Sequence, residues 1–403
     1  MLKATYSVLW ISLLSVLFSC AGGSQDSDGL PSIKLAEAYA DSETPLASDY
    51  FQSIEYIRVE TSDATLAMRM DAAYILSDTT LLVEAFRKII VVDRRSGNLV
   101  KEIGHYGDDP NAYRATLRFY GVDETKPITY TMGLKDDFAE YSLVTGQKVG
   151  SVKKPRPDDF KPFESEMILG AFTRIDDTTF IGFTKNYNGK QKTRLVIFKP
   201  DGQIVKTYPN YLSYVDDPDK YVSWGNDEAA FFKNQDKLFF KEYFNDTVYQ
   251  VDTEKMEPVY HFDLSLKSPP YSDRETMDLE ERKNYMFVKK PVDTEQLLFF
   301  QVSHRDQLFV GVYDKAEKET RLSRIEENGV IERHGIQNDI HDFIPIYPTT
   351  LQNGLVVGLT PAEEAYAWFK NNPDKIASLP ISLQQLKNIE PEDNPIVTIA
   401  RLK

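Results

Sequence analysis

Two of the five histidines in this 403-residue chain stand close together with two aspartates, in His334-Gly335-Ile336-Gln337-Asn338-Asp339-Ile340-His341-Asp342. Imidazole and carboxylate are ligands for Zn²⁺ or Mn²⁺. His334, Asp339, His341 and Asp342 are therefore the candidate metal ligands. The spacing matches no helical His-x-x-x-His array and brings no third strong ligand, so a polar turn between strands is the competing account. Asp216-Asp217-Pro218-Asp219 is acidic enough to attract Ca²⁺ but lacks the alternating ligands, glycine and distal Glu of a calcium loop. Gly-x-Ser-x-Gly is absent, and 62 acidic residues conceal any carboxylate pair for sugar hydrolysis until geometry is known. No catalytic residue is assigned. A different chemistry is carried by aromatic side chains. Tyr208, Tyr211, Tyr214, Tyr221 and Trp224 crowd one connection, and there they offer faces for sugar rings or anchors for a protein partner, or else ordinary packing.

The only cysteine, Cys20, follows a short apolar run from Val8 to Phe18 preceded by Lys3. The run is too short to span a bilayer comfortably and reads as a signal peptide over 1–19. A cysteine in that place resembles a bacterial lipobox, which implies cleavage before Cys20, diacylation of its thiol and acylation of the new amino terminus. Several acyl chains anchor a protein stably. Residues 20–52 then form the tether and lead-in, beginning with the small, acidic AGGSQDSDGLPS stretch. No cofactor is expected beyond this covalent lipid.

The net charge of −15 argues against nucleic acid, because phosphate binding needs clustered Lys and Arg. The short basic runs Lys153-Lys154-Pro155-Arg156 and Lys289-Lys290 read as solvated loops.

The elements that would position these groups are short strands separated by turn residues. Lys88-Ile89-Ile90-Val91-Val92-Asp93, a turn at Arg95-Ser96-Gly97-Asn98, and Leu99-Val100-Lys101-Glu102-Ile103 form one hairpin. Similar pairs recur after Asp137, Arg194, Thr247 and Gln307. A four-stranded meander repeated at roughly 40–50 residues predicts propeller blades. Each blade has two apolar faces, and radial stacking buries both. Blades are expected near 70–104, 117–153, 167–208, 228–264 and 294–332. A sixth would use 340–360 and 395–402, with 53–60 added from the other end of the chain. The fold class is thus all-β: a six-bladed β-propeller over 53–403 with a few short helical insertions. These helices should open at Ser272, Thr360-Pro361 and Ser382, each with a capping Ser or Thr.

The segment Ile103-Gly104-His105-Tyr106-Gly107-Asp108-Asp109-Pro110-Asn111-Ala112-Tyr113 is similar to a blade-end pattern of six-bladed, NHL-like propeller lipoproteins of Bacteroidetes. Asp109 stands where the pattern has glycine and Ala112 where it has an acidic residue. The ending Asp393–Lys403 also resembles theirs. The resemblance implies a fold and an envelope location, and it brings no catalytic set. Glycines in this segment should permit positive φ at the crossing between blades.

Together these features lead to the expectation of a lipid-anchored module at the cell envelope, in the outer membrane and facing either the periplasm or the surface. It would bind or scaffold a protein, peptide or glycan. The alternative is a polysaccharide lyase or glycosidase with its site at the propeller axis.

Overall fold

The computed structural model describes residues 29–403 except 67–69, 86, 116–121, 124–125, 135, 158–168, 187–188, 216–227 and 325–332. The segments expected as signal peptide and as the start of a tether, with Cys20, lie outside the described residues. Six small antiparallel sheets follow one another along the chain and form a six-bladed β-propeller. Blades 1 to 5 occupy 70–102, 122–153, 169–209, 229–262 and 287–322. Blade 6 is assembled from Pro348–Gln352, Leu355–Thr360, Ile396–Leu402 and Phe51–Arg58. Phe51–Arg58 pairs antiparallel with Ile396–Leu402, so strands from both chain ends close the ring.

The strands form where β-branched and aromatic residues recur between turn residues. Lys88–Asp93 buries its four central residues, and the following turn places Gly97 at φ +73. Burial on both blade faces is continued around the ring. Six apolar clusters occupy the six blade interfaces. Phe138 stacks on Phe172 at 4.0 Å between blades 2 and 3, and Phe51 on Phe299 at 5.8 Å between blades 5 and 6. Because each blade shields its neighbours, no blade is a complete core by itself.

The lead-in wraps the outside of the ring. Ser32–Ile33 adds a parallel strand to the edge of blade 4, beside Met256–Phe262. Helix Leu35–Ala40 follows, and Thr44 donates to the carbonyl of Arg324 at 2.8 Å beyond blade 5. The chain then enters blade 6 as its outermost strand.

Three expectations are corrected. Blade 5 begins at Phe287, earlier than 294, because Phe287–Asp293 pairs with Leu297–His304. Residues 340–342 are a turn and 343–346 a strand of a separate two-stranded sheet, Ile336–Asn338 with Phe343–Ile346. The helix starts also differ. Ser272 is bonded to the Asp273 carboxylate, and Asp278 supplies the capping box of the short helix Leu279–Arg282. Thr360 ends a strand, and Pro361 precedes helix Ala362–Asn371. Pro380, not Ser382, leads into Ile381–Gln384. In the last two the fixed φ of proline sets the entry without a side-chain cap.

The antiparallel order sorts connections onto two faces. Crossings between blades share one face with the loop joining the second and third strands of each blade. On that face the 361–395 insertion packs Ala365 and Phe369 against Phe343, Ile344 and Ile396. The tight turns after each first strand lie on the opposite face.

Candidate functional site

The first strand of each blade is a sheet edge. Six such edges surround the axis, and a cavity of about 950 Å³ to which all six blades contribute opens there and extends over the outer strands of blades 5 and 6, where Asp49, Glu319, Arg321 and Lys403 line it. Its wall includes Tyr74 of blade 1, Tyr130 of blade 2, Arg174 of blade 3, Phe232 and Lys233 of blade 4, Lys289 and Lys290 of blade 5, and Gln352 of blade 6. A first strand is paired on one side only, and its other backbone edge faces the axis. Its edge therefore tolerates polar residues that a central strand would exclude.

Blade 5 departs from regular pairing at this wall. The register shifts between Lys289 and Val292, and Lys290 adopts φ +48. A bulge re-aims side chains and is frequent beside binding sites. Lys289-Lys290 is thus part of the axial wall, which corrects its reading as a solvated loop. Lys154 is likewise buried. In both cases a basic pair was assigned by composition, whereas neighbouring blades decide its exposure.

The carboxylates deepest in the wall are matched. Asp293 is buried and meets Lys315 at 2.7 Å, while Asn234 donates to it at 2.9 Å. Burial pushes its carboxyl up, and Lys315 offsets only part of that. Glu242 forms a buried ion pair with Arg194. Burial alone would pull the Arg194 guanidinium down, but Glu242 holds it above its ordinary value. Lys241 is wholly enclosed beside them. Burial pulls its ammonium down to about 8, and it donates to the Glu242 carbonyl.

Of the aromatic connection, Tyr208, Tyr211 and Tyr214 do not share one exposed face. Tyr208 is buried, donates to the Asp252 carbonyl at 3.0 Å, and is pushed up to about 12 by burial. It packs blade 3 against blade 4. Tyr214 is buried under the Arg274 guanidinium and donates to the Asn186 carbonyl. Tyr211 is 87% exposed. Tyr221 and Trp224 lie outside the described residues.

The four candidate metal ligands have separate neighbours. His334 stacks on Phe309 at 4.8 Å. Asp339 accepts from the Ser48 amide at 2.8 Å. His341 is beside Tyr56, and burial pulls its imidazole down. Asp342 pairs with Lys375 at 2.8 Å. Among the described residues, no three His, Cys, Asp or Glu side chains converge as a metal-holding group.

Gly104, at the crossing from blade 1 to blade 2, has φ +58, and a Cβ there would lie 2.4 Å from the Tyr141 ring. Tyr141 donates to the Asn111 carbonyl at 2.6 Å. The blade-end segment thus closes over an aromatic side chain of the next blade.

Residues 30–401 match the family described as a domain of unknown function, DUF4934. The chain belongs to the DUF4934 family. Two solved structures share the fold of this DUF4934 chain. One, a protein of Bacteroides fragilis NCTC 9343 named as a candidate exported protein, is 17% identical with a TM-score of 0.64. The alignment covers 90% of this chain and 98% of that one. The other is a member of the DUF4221 family from Bacteroides vulgatus ATCC 8482, 9% identical with a TM-score of 0.52. It covers 88% of this chain and 97% of its own. No curated protein matches the sequence.

The wall residues Arg174, Lys233, Lys289 and Lys290 were missed by motif reasoning. Their available signal was weak: charged residues interrupting Phe287-Val288-Lys289-Lys290-Pro291-Val292 inside an otherwise strand-like run.

Proposed function

We propose that this DUF4934 chain is a lipid-anchored binding module of the bacterial cell envelope, held in the outer membrane through Cys20, with its ligand site in the axial cavity. The observation that carries this reading is the cavity itself. It lies in the size range of small-ligand pockets and is lined by aromatic side chains together with many charged and polar ones. The partner is a glycan, a peptide or an exposed segment of an envelope protein.

Binding is favoured over polysaccharide cleavage because the deepest carboxylates, Asp293 and Glu242, are already engaged by Lys315 and Arg194. The export part of the proposal is supported by the signal-like amino terminus and by the name of the B. fragilis neighbour. The first described residue, Gly29, is nine positions after Cys20. At about 3.3–3.6 Å per residue, that length reaches at most roughly 30 Å. An anchored propeller would therefore stay close to the bilayer.

The test is photocrosslinking in native cells from a benzoylphenylalanine at position 233 on the wall, with position 211 on the exposed connection as the control. The expected result is capture from 233 that disappears when Ala230→Trp fills the cavity in a protein that still folds. Capture from 211 alone would move the site to the connection. A metabolic acyl label should be lost in Cys20→Ser; its retention would refute the anchor.

A further inference from the structure

We propose that the face of the propeller carrying the blade crossings rests on the lipid bilayer, so that the axial cavity opens away from the membrane. This rests on the anchor at Cys20. Among the described residues, Leu66, Tyr211, Val215, Leu266, Leu279 and Ile381 are large apolar side chains more than half exposed on that face. Leu66 lies in the crossing from blade 6 to blade 1, Tyr211 and Val215 in that from blade 3 to blade 4, and Leu266 and Leu279 in that from blade 4 to blade 5. Ile381 belongs to the 361–395 insertion. Among the same described residues, the opposite face has one comparable side chain, Val144, and the others lie on the outermost strands of blades 1 to 3. Leu266 is 97% exposed, and neither the turn Ser265–Lys267 nor the short helix Leu279–Arg282 buries a residue. These leucines stand off the blades instead of filling them.

Their distribution selects a plane over a protein partner. A protein uses one contiguous patch with a desolvated centre. Single apolar side chains spaced around a ring instead suit a flat surface that meets the whole face, and leucine and tyrosine are at home at the headgroup boundary. Asp273, Glu280 and Glu281 are exposed on the same crossing as Leu279, so the contact is apolar and is not an attraction to anionic lipid. The tether permits this orientation. Ser32–Ile33 lies beside His261–Phe262, at the end of blade 4 where the crossing with Leu266 begins. Gly29 precedes Ser32 by three residues, at most about 10 Å of chain. The nine positions from Cys20 to Gly29 span up to roughly 30 Å, enough to bring the lipid level with the crossing face. The cavity mouth is on the other side. Gln235, Thr294–Gln296 and Asn353-Gly354 line it, and they are turns after first strands. A ligand would reach the cavity without the bilayer in its way.

The experiment expresses the full chain in native cells as Leu266→Cys, Leu279→Cys or, on the opposite face, Val144→Cys. Each purified lipoprotein is labelled with an environment-sensitive dye and reconstituted into vesicles of phosphatidylethanolamine and phosphatidylcholine. Acylation of Cys20 leaves the introduced thiol as the only one. Dye at 266 and 279 should shift to the blue and be quenched by nitroxide lipids at a depth of about 5–10 Å, as for a face lying in the interface. Dye at 144 should do neither, and added phosphatidylglycerol should not strengthen the quenching. Leu266→Asp/Leu279→Asp, with an unchanged thermal midpoint, should abolish quenching of a dye on Tyr211→Cys while the protein still floats with the vesicles. Quenching at 144 in place of 266 and 279 would overturn the orientation. Absence of lipid quenching at all three positions, in protein that floats with the vesicles, would overturn the docking while leaving the anchor. Quenching that grows with phosphatidylglycerol would overturn the apolar contact. Dye incorporated at Cys20, in protein that does not float, would overturn the anchor and this inference with it.

Discussion

Arg274 should be the most sensitive single position in the connection between blades 4 and 5. Its side chain is only 6% exposed and meets Glu228 at 3.2 Å and Glu275 at 3.2 Å. The rings of Tyr214, Phe244 and Tyr271 surround the guanidinium at 5.1–5.5 Å. Burial alone would pull this group down, but Glu228 and its neighbours hold it above its ordinary value. Arg274→Met removes the charge and leaves two acidic groups, Glu228 and Glu275, opposite Lys185, which is 3.9 Å from Glu228. Removing one partner of a buried pair costs about 3–5 kcal/mol. With an unfolding entropy of about 2.1 cal/mol/K per residue over roughly 370 folded residues, this corresponds to a drop of about 4–6 °C in Tm. Arg274→Met/Glu275→Gln restores the local charge balance, with Lys185 and Glu228 still paired. It should recover at least about half of the loss. Differential scanning calorimetry of the two variants tests this, with limited proteolysis reporting on residues 263–286. A fall below about 1 °C for the single variant, or a double variant less stable than the single, would refute the reasoning from charge burial.

Two further outcomes follow from particular geometries. Gly97 and Gly354 have nearly the same positive φ, +73 and +72, but a Cβ at Gly97 would lie 1.8 Å from the Arg58 carbonyl oxygen, whereas nothing lies within 4 Å at Gly354. Gly354→Ala should cost about 1 kcal/mol from backbone strain, and Gly97→Ala about 2–4 kcal/mol once the clash is added; similar melting temperatures for the two would reject the contact argument. Asp393 meets Arg58 at 2.6 Å, and although burial would raise its carboxyl, the Glu390 amide, Thr61 and Arg58 hold it below 3.8. A lowered folded value means that its contribution is fully present above pH 3.8 and is lost as pH falls through the folded value. Asp393→Asn should therefore cost about 1 kcal/mol at pH 7 and little in strong acid, and a deficit of equal size at both ends would contradict the linkage.

Strand and turn chemistry are local, and so the repeated meander was legible without coordinates. Runs such as Lys88–Asp93 and turns such as Arg95-Ser96-Gly97-Asn98 specify hairpins by residue type alone. Repetition of that unit implied six blades, because a blade with two apolar faces requires neighbours. Blade-end glycine was also readable, since a left-handed backbone at Gly104 has few other occupants. Exposure across blades was not readable. Tyr208 and Tyr214 have the composition of a binding face but are buried by blade 4 and by Arg274. His334 and His341 are seven positions apart, yet one stacks on Phe309 of blade 5 and the other lies beside Tyr56 of blade 6. Conversely, Arg174, Lys233 and Lys289-Lys290 are distant in sequence and share one wall only after the ring closes. The sequence by itself determined the strands, their repetition and the requirement for stacking, because those depend on short-range backbone preference and apolar periodicity. Tertiary structure alone decided which polar side chains face the axis and which charges are matched, because both depend on the radial arrangement of segments that no local spacing encodes.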